Sequence, residues 1–182
     1  MTTRAQQRYS TVAMTFHWVI AVAVIVNWRI VEAAEHAAPA EAGALMANHK
    51  ALGITILVLS IGRLLWRFTH PAPPLPGAGW ERALARTVHV VFYVLLIGLP
   101  LGGWLAGSFA RRGFEWFGLF DWPLLPVPES REMAGTIIEM HALGGQVLLL
   151  LVVLHIAGAL KHTFIDRIGG LSRMLPFGKP PG

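Results

Sequence analysis

Four long apolar segments limit what this chain can fold into more than any other feature of its sequence. They cover approximately residues 11–28, 44–66, 82–105 and 137–164. Each is close to the roughly 20 residues that an α-helix needs to cross the hydrocarbon core of a bilayer. The segments therefore predict an all-α integral membrane protein, a four-transmembrane-helix up-down bundle.

The composition agrees with a membrane protein and argues against other classes. Of the 182 residues, 54% are hydrophobic and 14% are charged, against roughly 25% charged residues in soluble domains. The net charge of +5 is compatible with nucleic-acid binding, but most basic residues flank the apolar segments. Membrane lipid explains that placement more simply, so we expect no nucleic-acid partner. Cysteine is absent, which excludes thiolate metal sites and disulfides.

The basic residues predict how the helices are oriented. They are concentrated at both termini and in the connection between the second and third segments, and are fewer in the other two connections. The positive-inside rule therefore places both termini and the middle connection in the cytoplasm. The basic residues on the cytoplasmic side are Arg4, Arg8, Arg63, Arg67, Arg82, Arg86, Lys161, Arg167, Arg173 and Lys179, and those outside are Arg29, Lys50, Arg111, Arg112 and Arg131.

The two outer connections differ in character. Residues 32–42 are acidic and rich in alanine, and we predict a short loop there. Residues 107–132 form a longer connection with several prolines and an aromatic cluster. We expect the cluster to lie along the membrane interface as a lid over the outer end of the bundle. Its members are Phe114, Trp116, Phe117, Phe120 and Trp122.

Histidines inside the apolar segments carry the strongest functional signal. His141 and His155 share one face of the fourth helix, with about 21 Å of helical rise between them. In the predicted orientation His49 lies at the outer depth of His141, and His17 at the inner depth of His155. Ionisable side chains are costly inside a membrane and usually face a partner. Two imidazoles can complete the coordination of a haem iron, and helix bundles bind cofactors between facing helices. We therefore predict two haem sites with these four histidines as axial ligands.

Other interpretations of these histidines stay open. A single membrane histidine can simply hydrogen-bond a neighbouring helix, and a cofactor-free protein could use histidines to move protons or metal ions. Glycines bear on the choice. Gly53, Gly144 and Gly145 lie one turn from the outer histidines, where a missing side chain either leaves room for a flat macrocycle or tightens helix packing. Gly98, Gly102 and Gly103 in the third segment are assigned to helix packing.

Two further histidines, His89 and His162, are predicted to share the inner edge of the membrane. A quinone head group could exchange hydrogen bonds or protons with them there, since histidine titrates near neutral pH. Either could instead cap its helix or bind a haem propionate. Arg63 and Arg67 could pair with inner propionates and Lys50 with outer ones, although the positive-inside rule already explains the two arginines.

Together these features resemble the bacterial cytochrome b561 family of di-haem four-helix membrane proteins, which includes superoxide oxidase. The resemblance covers essentially the whole chain and implies a single cytochrome b561 domain over residues 1–182. It implies that His17, His49, His141 and His155 are the axial ligands of two b-type haems. His89 and His162 match further family histidines on the inner side. The features that carry it are Phe16-His17-Trp18, the run from His49 to Leu59 leading to Arg63-Leu64, the turn Pro71-Ala72-Pro73-Pro74, His89 before Val90-Val91-Phe92-Tyr93, Trp116-Phe117-Gly118-Leu119, and the series His141, His155, His162.

The resemblance also implies a function. We expect an oxidoreductase of the bacterial inner membrane that takes electrons from periplasmic superoxide and reduces ubiquinone. Superoxide is an anion, so a positive outer surface should speed its capture. The outer side instead has five basic and eight acidic residues, a net charge of −3. That balance keeps an alternative open, in which the protein relays electrons between a periplasmic redox protein and the quinone pool.

Overall fold

Four long α-helices make up most of the chain in the computed structural model, which describes residues 8–74, 78–168 and 170–177. They are α1 (Thr11–His36), α2 (Pro39–Thr69), α3 (Gly79–Phe109) and α4 (Arg131–Leu160). A π-helical turn, Lys161–Ile165, extends α4, and a short 3-10 helix follows at Leu171–Arg173. Each long helix is long and apolar enough to cross a membrane. The predicted four-helix membrane architecture is therefore confirmed.

The helices extend further than their apolar segments predict, and the prediction of an outer loop over residues 32–42 is wrong. Helix α1 ends at His36 and α2 begins at Pro39, so only two residues separate them. Alanine and glutamate are strong helix formers, which carries both helices past the apolar region. Proline is tolerated in the first turn because its missing N–H would have no helical partner there.

Capping residues also move the starts of α3 and α4 away from the predicted positions. The Glu81 carboxylate accepts a hydrogen bond from the Ala78 N–H at 2.8 Å, so α3 begins at Gly79. The Ser130 hydroxyl accepts from the Met133 N–H at 3.2 Å, so α4 begins at Arg131. Such caps satisfy backbone donors that the first turn leaves without partners.

Each helix packs against the next one along the chain. Helix α1 packs on α2, α2 on α3 and α3 on α4. Among the described residues, helix α2 provides half of the buried apolar side chains: Ala51, Ile54, Ile56 and Leu57. Many large apolar side chains face outward, as expected for a surface in contact with lipid tails. We call the end of the bundle near Ser10 and Leu160 the termini end, and the opposite end the long-loop end.

Residues 110–130 fold back over the long-loop end. Two backbone hydrogen bonds, from Trp116 N–H to the Phe120 carbonyl and from Trp122 N–H to the Phe114 carbonyl, form a small hairpin. The Trp116 indole N–H donates to the Thr55 hydroxyl of α2 at 3.2 Å. The aromatic cluster thus covers this end of the bundle, and its position along the membrane interface stays a prediction.

The C-terminal segment closes the termini end. The Arg173 side chain is 3% exposed and donates to the Pro74 carbonyl at 2.9 Å. Its guanidinium carbon lies 5.6 Å from the centre of the Tyr9 ring. The Tyr9 N–H donates to the Arg173 carbonyl at 3.2 Å, and the Trp18 indole N–H donates to the Met174 carbonyl at 2.7 Å. These contacts join the start of α1, the connection after α2 and the C-terminal segment.

Candidate cofactor sites

His49 of α2 and His141 of α4 face each other near the long-loop end. Their ring centroids are 6.0 Å apart and their planes are inclined by 82°. The His141 Nδ1 lies 2.9 Å from the Leu99 carbonyl oxygen, and the His49 Nδ1 lies 3.5 Å from the Asn27 carbonyl oxygen. A carbonyl only accepts, so each Nδ1 carries the hydrogen. Each Nε2 therefore keeps a lone pair, the arrangement that metal-binding histidines require.

Glycines shape this site, but not all in the predicted way. A Cβ at Gly103 would lie 3.3 Å from the His141 Cε1, so this glycine makes room for the imidazole, a role that its assignment to helix packing missed. A Cβ at Gly144 would lie 2.6 Å from the Leu99 Cδ2, so Gly144 allows α3 and α4 to approach. A Cβ at Gly145 would meet nothing within 4 Å, and at Gly53 only the Asn27 amide at 3.9 Å.

Three histidines lie together nearer the termini end. The ring of His155 on α4 is 6.1 Å from that of His17 on α1 and 5.9 Å from that of His89 on α3. Phe92 packs on the same imidazole, 5.4 Å away between ring centres. The structure thus brings together the pair predicted from depth and adds His89 beside it.

His89 and His162 do not share one level, contrary to the prediction. Helix α3 begins at Gly79, so His89 lies almost three turns inside the bundle, beside His155. His162 follows His155 by about two turns and lies in the π-helical end of α4.

His162 belongs to a network of charged side chains at the termini end. Its Nδ1 lies 2.7 Å from the Asp166 Oδ2, and the Lys161 ammonium donates to Asp166 at 2.6 Å and to Glu81 at 3.0 Å. The Lys161 hydrogen bond, with help from His162, holds the pKa of Asp166 below its ordinary value. The network joins the ends of α3 and α4.

Arg63 contacts the histidine cluster in a way that the sequence did not indicate. Its Nη1 lies 3.0 Å from the His17 Nδ1. A guanidinium donates and does not accept, so the His17 Nδ1 is the acceptor and its ring hydrogen lies on Nε2. His49 and His141 instead carry the ring hydrogen on Nδ1.

The two remaining histidines, His36 and His70, lie outside both clusters. His36 is exposed at the end of α1, with its Nδ1 2.9 Å from the Glu32 carbonyl oxygen. His70 follows α2 and stacks on Trp66 with 3.7 Å between ring centres.

The residues of both clusters fit b-type haem. Metal–imidazole bonds are about 2.0–2.1 Å long, so two imidazoles on opposite sides of one metal have centroids about 6 Å apart. The separations of the two predicted pairs are 6.0 and 6.1 Å, and that of His89 and His155, 5.9 Å, meets the same criterion. Two neutral imidazoles are a common axial set for six-coordinate haem iron. Helix α4 carries a ligand of each pair but buries only Ala134, so its histidine-bearing face is not tightly packed against α1 and α2.

Comparisons with known proteins agree with this arrangement. Residues 8–177 match the family model described as prokaryotic cytochrome b561. The chain is 31% identical to "Cytochrome b561 homolog 2" of Escherichia coli (strain K12), with 95% of this chain and 94% of that protein covered. It is 30% identical to "Probable superoxide oxidase CybB" of Yersinia pestis, covering 93% and 97%. It is 24% identical to "Cytochrome b561 homolog 1" of E. coli K12, again covering 93% and 97%.

Proposed function

The chain belongs to the prokaryotic cytochrome b561 family, and on that premise we propose that it carries electrons through two b-type haems from periplasmic superoxide to ubiquinone. Membership of the family makes it a multi-pass bacterial membrane cytochrome that binds b-type haem and transfers electrons. The number of haems, the donor, the acceptor and the orientation belong to the proposal. The protein would lie in the inner membrane of the bacterium, with its termini end facing the cytoplasm.

The observation that carries the proposal is the pair of histidine contacts at two levels of one bundle. His49 and His141 would hold one haem near the long-loop end, and His17 and His155 would hold the other nearer the termini end. The haems, when bound, supply the one-electron chemistry, while the protein fixes their spacing and surroundings. Because α4 provides one ligand to each site, about 21 Å apart along its axis, it sets the distance between them.

Superoxide is supported as the donor by one relative and by one basic side chain. A protein 30% identical over most of the chain carries the name probable superoxide oxidase. Lys50, next to His49, places its ammonium 5.8 Å from the centre of the Phe114 ring in the long loop. A cation there would attract a small anion toward the long-loop haem despite the net negative charge of that side.

Ubiquinone is proposed as the acceptor at the termini end, with His89 and His162 as the residues that serve it. Two superoxide ions would each lose one electron and become O2, and one quinone would take up both electrons and two protons to become ubiquinol. His162 donates its Nδ1 hydrogen to Asp166, so its Nε2 is available for proton exchange. His89 lies beside His155 and would face the haem-side part of the same site.

A second candidate function is a relay that accepts electrons from a periplasmic redox protein. Two observations favour it: the net charge of −3 on the long-loop side does not favour an anion, and the tip of the loop exposes apolar side chains. Leu119 is 72% exposed and Phe120 is 50% exposed. An exposed apolar patch of this kind suits contact with another protein.

Stopped-flow spectroscopy of the purified protein distinguishes the two functions. A superoxide pulse should reduce the haems within the mixing experiment, and added ubiquinone should reoxidise them with formation of ubiquinol. If the haems stay oxidised under superoxide but become reduced by a co-purified redox protein, the relay function is correct. A colourless preparation would contradict both and favour a cofactor-free role.

A further inference from the structure

A cavity of about 800 Å³ lies at the termini end, and Arg63, which lines it, also contacts His17 of the histidine cluster. Its wall comes from the residues before α1, the last turns of α2, the connection that follows and Tyr93 of α3. Three arginines line it: Arg8, Arg63 and Arg67. Such a concentration of guanidinium groups around one space suits an anionic ligand.

Arg8 provides the first independent sign of such a ligand. Its Nε and Nη2 atoms are buried and have no hydrogen-bond partner among the described residues. The neighbouring Tyr9 N–H is fixed by its bond to the Arg173 carbonyl, which holds this part of the chain against the cavity. The positive-inside rule explains a basic residue on this side of the membrane but not its buried N–H groups, since a flanking arginine can extend its head group to water. Buried N–H donors without an acceptor are costly.

Arg63 provides the second sign, because it lines the cavity and also contacts His17. In that contact the His17 ring hydrogen is on Nε2, so Nε2 has no lone pair to offer a metal. If His17 is to bind iron through Nε2, the hydrogen must move to Nδ1. Nδ1 would then be a donor facing a donor, and Arg63 would have to leave it for another acceptor.

We propose that Arg8 and Arg63 bind the propionate carboxylates of the haem held by His17 and His155, with Arg67 at the exposed rim of the same cavity. The inference rests on the proposed function, because it takes that haem as given. Binding of the carboxylates gives Arg8 its missing acceptor and draws Arg63 away from His17. The same event therefore frees His17 to adopt the tautomer that ligates iron. The two arginines thereby link binding of the haem carboxylates to binding of the iron by His17.

A redox titration of the purified holoprotein tests this proposal. The variants are Arg8→Gln, Arg63→Gln and Arg63→Lys, with Arg86→Gln, an exposed arginine of α3, as the matched control. Loss of a positive charge beside the haem carboxylates favours the oxidised iron. We expect the midpoint potential of the termini-end haem to fall in both glutamine variants. A tenfold drop in the ratio of reduced to oxidised haem at a given potential, about 59 mV, is the expected scale.

Other readouts separate this role from a structural one. The long-loop haem should keep its potential in every variant, Arg86→Gln should match wild type, and Arg63→Lys should restore much of the loss. The resonance Raman bands of the haem propionates should shift in Arg8→Gln, which leaves Arg63 itself unchanged.

Three results would overturn the inference. One is a full haem content with both potentials unchanged in Arg8→Gln and Arg63→Gln. Another is unchanged propionate Raman bands in Arg8→Gln. The third is phospholipid phosphorus bound to wild type and lost from Arg8→Gln, which would assign the cavity to a lipid head group. Failure of the proposed function would look different, because the wild-type protein itself would then either lack haem or keep its haems oxidised under superoxide.

Discussion

At the scale of single residues, the surroundings of each imidazole decide which nitrogen is left for a metal. His49 and His141 direct Nδ1 at backbone carbonyls, whereas His17 accepts a hydrogen bond from Arg63. Spacing along the chain was enough to predict that His49 lies near His141 and His17 near His155, but not that His89 lies beside His155. It could not predict their hydrogen-bond partners, because Leu99 and Asn27 belong to other helices whose rotation the sequence does not reveal.

Replacement of His141 by alanine should remove one haem and leave the other. The long-loop site loses an axial ligand, while His17 and His155 are untouched, so the haem content should fall from two to one per chain. The pyridine haemochrome assay measures this directly. His36→Ala, at an exposed position at the end of α1, should keep both haems. Loss of both haems from His141→Ala would show that the sites do not form independently, against the pairing described above.

Replacement of Gly103 by valine should weaken the long-loop haem without changing a ligand. A side chain there meets the His141 ring, since even a Cβ would lie 3.3 Å from Cε1. We expect a lower haem occupancy and a shifted midpoint potential for that site alone. Gly98→Val on the same helix is the control, because a Cβ at Gly98 meets nothing within 4 Å. Equal behaviour of the two variants would show that Gly103 does not position the imidazole.

At the scale of helices, the sequence indicated that four exist but misplaced their ends. Hydropathy falls where side chains become polar, whereas a helix ends where its backbone groups find caps or lose their partners. The alanine-rich stretch after Glu32 continues α1, and Ser130 and Glu81 set the starts of α4 and α3. His89 lies almost three turns from the start of α3 and beside His155.

The charged side chains at the end of α4 should make the protein less stable as the pH becomes acidic. The pKa of Asp166 in the folded protein lies below its ordinary value of 3.8, mainly through Lys161. A depressed carboxyl pKa stabilises the fold fully above the unfolded value, and that stabilisation is lost as pH falls through the folded value. Wild type and Asp166→Asn should therefore differ in thermal unfolding above about pH 5, and the difference should shrink below about pH 4 and close only below the folded pKa of Asp166.

A matched variant shows whether that effect comes from the network. Asp121→Asn in the long loop removes a carboxylate for which the structure gives no ion pair to Lys161 or His162, and its unfolding should follow wild type at every pH. A difference in thermal unfolding between wild type and Asp166→Asn that stayed constant down to pH 3 would contradict the assignment of this pH effect to the Asp166 carboxylate.

At the scale of the whole molecule, composition and apolar length were sufficient to predict a four-helix membrane bundle, and histidine depth to predict two pairs of neighbours. The sequence did not allow us to predict features that depend on contacts between distant parts of the chain. The Trp116–Thr55 hydrogen bond, the Arg173 contacts and the Arg8–Arg63 cavity each join segments far apart in sequence. No periodicity or motif along the chain reports such contacts.

Haem stoichiometry combined with a redox titration tests the two-haem bundle most directly. Protein purified from membranes should contain two b-type haems per chain, and its optical spectrum should titrate in two one-electron steps. His49→Ala should remove one step and His155→Ala the other. One haem per chain, or the loss of the same step from both variants, would contradict two histidine pairs holding two haems at two depths.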